Sequence, residues 1–213
     1  NDILTRMRLA GLHEQRGSPE KAAKLYEEIL VINPQSTQAL VKLARLNAGP
    51  LRDREKAMSL VKRARDLSPN DPEATHILGK LVFQGGDHSY AYSLLRETSL
   101  RQTNSAELFY DLSWAAYSIG LVTEANQAMQ RSLAVDPQNP AADAAKWFLM
   151  MTAITDSTAD PAASEPRVKD LLKADPTHAP ALMALGQIHQ RRGENAPAAD
   201  AYEKALARFP KLA

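Results

Sequence analysis

The residues that could support catalytic or metal chemistry are five histidines, and none of them completes a known site. His13 and Glu14 begin like a zinc-protease motif, in which two histidines four residues apart on one helix hold the metal and the glutamate acts as the base. The sequence continues Gln15-Arg16-Gly17, so the second histidine is missing. His88 and His178 have no carboxylate or nucleophile at a spacing that a helix would align.

No other pattern in the chain predicts catalysis or a bound cofactor. Gly85-Gly86 indicates a turn between helices, because phosphate-binding loops follow a strand and no strand is predicted before it. The sequence contains no cysteine, which excludes disulfides, cysteine nucleophiles and thiolate zinc sites. We therefore expect no enzymatic activity, no metal and no cofactor, and we look for function on a surface.

The spacing of prolines and glycines predicts the elements that carry such a surface. Prolines separated by one or two multiples of about 34 residues, with small insertions, stand at Pro34, Pro69, Pro137, Pro176 and Pro210. Glycines that each lie five residues before an alanine stand at Gly17, Gly86, Gly120 and Gly193. A fixed period of this length is typical of helix-turn-helix units that bury their apolar faces by stacking on each other.

The first and last units share their pattern most clearly, since residues 9–34 and 185–210 align at a constant shift of 176. Both contain a leucine followed by a small residue, a turn glycine, an alanine, a tyrosine, an alanine or isoleucine followed by leucine, and a closing proline. This pattern closely resembles the tetratricopeptide repeat (TPR) family. The resemblance implies an all-α fold, a right-handed superhelical solenoid of antiparallel helix pairs. We predict a single solenoid over residues 1–213, with repeats at about 3–36, 37–71, 72–104, 105–139, 140–177 and 178–211.

Packing within each repeat is expected to follow the family pattern. Small residues stand where the two helices of one repeat should cross, at Ala10, Ala44, Gly79 and Gly186. Larger residues expected to fill the volume between the helices are Tyr26, Leu95, Met129 and Tyr202.

The fifth repeat is degenerate. Its first helix places either Trp147 and Met150 or Phe148 and Met151 inward, depending on a one-residue shift of register. Its turn is expanded over residues 156–161, which are rich in turn and cap residues. We expect a bend of the solenoid or a specialised contact in this repeat.

The resemblance also implies a concave groove lined by the first helices of the repeats. The predicted groove residues are Arg45, His76, Lys80, Phe83, Tyr110, Trp114, Tyr117, Phe148 and Met151. Aromatic side chains dominate binding energy when they are desolvated, and the cations beside them can meet a carboxylate on the ligand. The sequence therefore predicts a protein-interaction scaffold that holds a peptide or helix of a partner. The alternative for Trp114 and Tyr117 is packing in the core.

A second hypothesis is a structural spacer or self-assembling segment of a longer TPR protein. The last repeat ends without a polar capping helix, although stacked repeats need solvated ends. We expect an open apolar edge at the carboxyl end that includes Leu182, Leu185 and Phe209, and self-association through it.

Net charge and hydropathy limit the classes of partner that the chain can have. The net charge of +1 does not favour nonspecific nucleic-acid binding, and the basic stretch from Arg52 to Arg65 is interrupted by Asp53 and Glu55, as on a solvated helix face. The sequence has no apolar run long enough to insert into a membrane and no targeting segment. It begins at Asn1, as expected of an excised or processed segment. We expect a protein or peptide partner, in either the cytoplasm or a bacterial periplasm.

Overall fold

The computed structural model describes residues 2–155 and 161–212, which form twelve α-helices and no strand. The helices are α1 (Ile3–Gln15), α2 (Pro19–Ile32), α3 (Thr37–Ala48), α4 (Arg54–Leu67), α5 (Pro72–Gln84), α6 (His88–Arg101), α7 (Ala106–Ser118), α8 (Val122–Val135), α9 (Ala142–Thr155), α10 (Pro161–Ala174), α11 (Ala179–Arg191) and α12 (Asn195–Arg208). The expected all-α fold is confirmed. None of the described helices is both long and apolar enough to cross a bilayer.

Capping side chains explain where many helices begin. A side-chain atom accepts a hydrogen bond from a backbone N–H of the first turn at Asp2, Ser36, Asp53, Asp71, Asp87, Ser105 and His178. Aspartate and serine are favoured at this position because they satisfy a backbone donor that the helix leaves without a partner.

Prolines and glycines set the helix ends as the sequence predicts. The helices α2, α4, α8, α10 and α12 each end two residues before a closing proline, because the residue before a proline is disfavoured in the helical conformation. The four turn glycines have positive φ angles between 65° and 90°. In the altered turn of the second repeat the residue with positive φ is Arg52, at 54°.

The two helices of a repeat cross at the small residues. A Cβ atom added to Gly79 on α5 would lie 2.8 Å from Leu95 Cγ on α6. One added to Gly186 on α11 would lie 2.4 Å from Tyr202 Cε1 on α12. Both distances are shorter than a carbon contact allows, so glycine is needed for this close approach.

The helices group into two compact units, Asn1–Gln102 and Thr103–Ala213. We call them the amino-terminal unit, with α1 to α6, and the carboxy-terminal unit, with α7 to α12. The core of the amino-terminal unit runs through α1 to α6 and includes Tyr26, Leu40 and Leu81. The single continuous solenoid expected from the sequence stays a prediction, and the two units are described separately.

The fifth repeat is not a regular helix pair. Helix α9 packs mainly against α8 and α11, and only slightly against α10, which packs against α11. Glu165 on α10 forms ion pairs with Arg192 and Lys169, and the hydrogen bonds from these two cations, Arg192 first, lower the pKa of Glu165 to about 2. Residues 156–160 of the expected turn lie outside the described residues.

Of the two registers predicted for α9, the structure has the one that places Phe148 and Met151 inward. Phe148 and Met151 are fully buried, whereas Trp147 and Met150 are partly buried against the edge of the core.

Candidate functional site

The predicted groove residues fall in both units. Arg45, His76, Lys80 and Phe83 belong to the amino-terminal unit. Tyr110, Trp114, Tyr117, Phe148 and Met151 belong to the carboxy-terminal unit.

Two cations on α3 of the amino-terminal unit bind one carboxylate on α5. Arg45 Nε lies 3.0 Å from Glu73 Oε1, and Lys42 Nζ lies 3.3 Å from the same oxygen. The three side chains are 44%, 34% and 30% exposed for Arg45, Lys42 and Glu73. The group therefore carries one more positive than negative charge on a partly solvated surface, and we call these three residues the α3–α5 charge cluster.

A second polar contact lies next to this cluster. The Tyr26 hydroxyl on α2 donates a hydrogen bond to the Glu14 carboxylate on α1. Burial, the hydrogen bond to Glu14 and the negative charges of Glu14 and Glu73 all raise the pKa of Tyr26. Tyr26 is therefore a neutral hydrogen-bond donor to Glu14.

His76 does not line an open surface. It is buried, as is every residue of α5 from Ala74 to Gly79. The sequence predicted that one face of α5 is buried and that the opposite face, with His76, lines a groove. This prediction is wrong for His76, because this stretch of the helix is covered on all sides. Lys80 and Phe83 are half-buried near the end of α5, with the Phe83 ring 5.0 Å from the His88 ring.

Six ring side chains of the carboxy-terminal unit form a contact network, which we call the aromatic cluster: Tyr110, Trp114, Tyr117, Phe148, His178 and Phe209. Trp114 is at its centre, with ring centroids 5.2 Å from Phe148, 5.5 Å from His178, 6.3 Å from Tyr117 and 6.5 Å from Tyr110. Tyr117 also contacts Phe148 at 5.2 Å and Phe209 at 6.3 Å. The rings meet edge to face, the arrangement that their quadrupoles favour.

Three of the predicted groove residues in this unit are core residues. Tyr117, Phe148 and Met151 are buried, and burial raises the pKa of Tyr117. The irregular fifth repeat is the physical reason. With α9 packed on α11, residues of the sixth repeat reach α7 and cover the rings that the sequence placed in an open groove. For Tyr117 the core alternative is therefore correct.

Tyr110 and Trp114 remain half-exposed at the edge of the aromatic cluster. The sequence pattern does not reveal the contributions of His178, which is 64 residues beyond its contact Trp114, and Phe209, which is 92 residues beyond its contact Tyr117. Their signal in the sequence is weak, because one is the residue before a helix and the other the residue after one.

The apolar edge expected at the carboxyl end is not open. Leu182 and Phe209 are buried, and Leu185 is partly buried against the core of α9 and α11. These residues pack inside the carboxy-terminal unit and do not offer a self-association surface.

The sequence matches known repeat proteins at both ends. Tetratricopeptide repeat models match residues 5–46 and 157–213. Transcriptional regulator HilA of Salmonella typhimurium is 26% identical over 157 residues, which cover 68% of this chain and 28% of the regulator. The chain thus spans under a third of the length of the curated relatives it matches.

Solved structures of repeat proteins share the fold. The pilF protein of Pseudomonas aeruginosa is 16% identical, with 98% of this chain and 92% of that chain covered and a TM-score of 0.60. YrrB, described as a TPR protein with an unusual peptide-binding site, is 14% identical, with 98% and 87% covered and a TM-score of 0.53. The APC/C hetero-tetramer Cut9-Hcn1 is 17% identical, with 98% and 40% covered and a TM-score of 0.63.

These matches agree with three features of the chain: the repeat period, the glycines with positive φ and the small residues at the helix crossings. They make the chain a protein-interaction scaffold of helix pairs. The chain therefore contains tetratricopeptide repeats at residues 5–46 and 157–213 and shares the fold of solved repeat proteins.

Proposed function

We propose that the chain binds an acidic, extended segment of another protein on the first helices of its amino-terminal unit. The observation that carries this proposal is the α3–α5 charge cluster, in which Lys42 and Arg45 share a single oxygen of Glu73. A carboxylate can accept several hydrogen bonds, and an arginine presents five N–H donors. The cluster therefore has donors in excess of what Glu73 alone can use.

The partial exposure of the cluster favours a ligand over a purely structural role. A solvated ion pair contributes only about 0–1 kcal/mol to stability, so folding alone gives little reason for two cations on one carboxylate. An incoming carboxylate would gain two charge-assisted hydrogen bonds, while Glu73 would keep one partner. Lys80 and Phe83, further along α5, supply another cation and an apolar contact for the same segment.

The half-exposed rings of Tyr110 and Trp114 are a separate proposed contact of the carboxy-terminal unit. They stand at the rim of a packed aromatic cluster, which fixes their orientation and lowers the entropy lost on binding. YrrB supports a peptide ligand in general, because its description includes a peptide-binding site on the same fold.

Fluorescence anisotropy with labelled peptides tests the proposal. The probe is a panel of ten-residue peptides of matched hydropathy that carry three aspartates, three lysines or no charge. We expect the acidic peptides to bind the chain best, and the double variant Lys42→Glu, Arg45→Glu to lose that binding by at least about tenfold, the equivalent of roughly 1.4 kcal/mol.

Lys56→Glu with Lys62→Glu is the matched control, because both lysines are exposed on the second helix α4 and the two changes alter the net charge as much as the double variant does. It changes the net charge of the chain without touching the α3–α5 charge cluster. Equal loss in this control would attribute the effect to net charge and contradict the proposed site. Failure of every acidic peptide to bind the parent chain would contradict the function.

The alternative function is a structural or self-assembling segment. Burial of Leu182 and Phe209 removes the surface that the sequence suggested for it. A different surface at the other end of the chain favours self-assembly.

A further inference from the structure

The outer face of α1 presents two leucines to solvent. Leu9 is 43% exposed and Leu12 is 50% exposed. They lie three residues apart, so they are neighbours on the same face of the helix. Thr5 and Arg16, both exposed, continue this face toward the two ends of α1.

The same repeat positions are buried in the next two first helices. Leu43 and Leu46 of α3 correspond to Leu9 and Leu12, and Leu43 is 1% exposed. Leu78 and Leu81 of α5 also correspond to them, and Leu81 is fully buried. Helix α3 packs on the preceding second helix α2, and α5 packs on α4. The outer face of α1 is thus built like a face that receives a second helix.

Helix α12 presents the matching second-helix face. Residues Ala23, Glu27 and Leu30 of α2 and residues Ala199, Glu203 and Leu206 of α12 are identical at the constant shift of 176. Ala23 is buried and Leu30 is packed against the core that α2 and α3 share. On α12, Ala199 is exposed, whereas Leu206 is half-buried like its counterpart Leu30.

The charges beside the two faces are opposite. The leucines of α1 are flanked by the exposed cations Arg8 and Arg16. The apolar residues of α12 are flanked by the exposed carboxylates of Glu203 and of Asp200, which is ion-paired with Lys204 on the same helix. Complementary charges at the rim of an interface speed association and fix its orientation.

We propose that the partner of the α1 face is a second copy of this chain, whose α12 packs on α1 as α2 packs on α3. The contact is heterologous, because different surfaces of the two copies meet, so it extends head to tail into short chains. One helix pair buries little area, and interfaces of this size are weak and reversible.

Sedimentation equilibrium of the complete chain over a concentration series tests the proposal. We expect the average mass to rise with concentration from that of a monomer. A head variant, Leu9→Glu with Leu12→Glu, and a tail variant, Ala199→Arg with Glu203→Arg, are each expected to remain monomeric. All four positions are exposed, so both variants should fold, and circular dichroism checks this.

Mixing the two variants distinguishes head-to-tail packing from other self-association. The head variant keeps an intact α12 and the tail variant keeps an intact α1, so an equimolar mixture should form a dimer and nothing larger. Val31→Glu, at a position 83% exposed on α2, is the control and should associate like the parent. A parent mass independent of concentration, association of either variant alone, or a mixture that stays monomeric would each overturn the proposal. None of these outcomes depends on whether acidic peptides bind the α3–α5 charge cluster.

Discussion

Trp114 on α7 and His178 at the start of α11 meet edge to face, with ring centroids 5.5 Å apart and an interplanar angle of 88°. This contact joins the fourth repeat directly to the sixth. His178 also caps α11, since its Nδ1 accepts a hydrogen bond from the backbone N–H of Ala181 at 3.2 Å. An acceptor Nδ1 requires that this nitrogen carry no proton. The neutral imidazole therefore stabilises both the helix start and its contact with the aromatic cluster.

The first prediction concerns the pH dependence of stability. Burial lowers the pKa of His178, while the nearby Asp175 acts in the opposite direction. The unfolded chain therefore takes up a proton at higher pH than the folded one, so the stabilisation is complete above about pH 6.5. It is lost as the pH falls from there toward the lower folded pKa.

His178→Asn tests this relationship, because asparagine caps a helix without titrating. Urea denaturation at pH 7.5 and pH 5.5 should show a larger loss of unfolding free energy for the parent than for the variant. We compare the change in unfolding free energy between the two pH values. The contributions of the other histidines and of the lost ring contact are the same on both sides of this comparison and cancel. An unchanged pH dependence in the variant would mean that His178 does not contribute.

The second prediction concerns the crossing of α5 and α6. Gly79→Ala should destabilise the chain by about 1–3 kcal/mol, because the new Cβ would overlap the fully buried Leu95. Gly11→Ala in α1 is the matched control, since a Cβ there meets no atom within 4 Å. Alanine favours helix over glycine by about 1 kcal/mol, so the control should gain stability. Thermal denaturation that shows equal effects of the two changes would refute the close approach.

The third prediction concerns two buried serines in the fourth repeat. Ser113 Oγ on α7 is buried without a hydrogen-bond partner in the described part of the chain. Ser132 Oγ on α8 instead donates to the carbonyl of Ala106 at 2.7 Å. Ser113→Ala should stabilise the protein or leave it unchanged, and Ser132→Ala should cost about 1 kcal/mol. Chemical denaturation of both variants checks the pair, and the reverse order would contradict these assignments.

The fourth prediction separates core from surface in the aromatic cluster. Phe148→Ala should cost about 3–5 kcal/mol, because the side chain is fully buried. Tyr110→Ala should cost much less, since Tyr110 is half-exposed at the edge of the cluster. Denaturation followed by tryptophan fluorescence reports on this region through Trp114 and Trp147. If Phe148→Ala lowers the unfolding free energy only slightly, Phe148 is not a core residue and the open groove predicted from the sequence is favoured.

The sequence was sufficient to predict the helices and their ends. Pro34 and Pro210 mark helix ends, and Gly17 and Gly193 take the positive φ expected of them. These features depend on local backbone preferences, which a residue type expresses in any context. The crossings at Gly79 and Gly186 were predictable for a different reason, because the family pattern places a small residue where the two helices approach.

The candidate site was less predictable, because it depends on how the repeats pack. Tyr117 and Phe148 hold positions that would face a groove in a regular array, but the irregular packing of α9 brings His178 and Phe209 over them. Lys42 and Glu73 are 31 residues apart in sequence, and they meet because α3 and α5 lie side by side. Pairings between elements distant in sequence carry no periodic signal.

Hydrogen–deuterium exchange of the parent chain, with and without a saturating acidic peptide, tests the central claim most directly. We predict new protection in α3 and α5, where Lys42, Arg45 and Glu73 lie, with little change in the buried part of α7 and α9. Protection confined to α7 and α9, with α3 and α5 unchanged, would contradict the account and return the binding surface to the aromatic cluster.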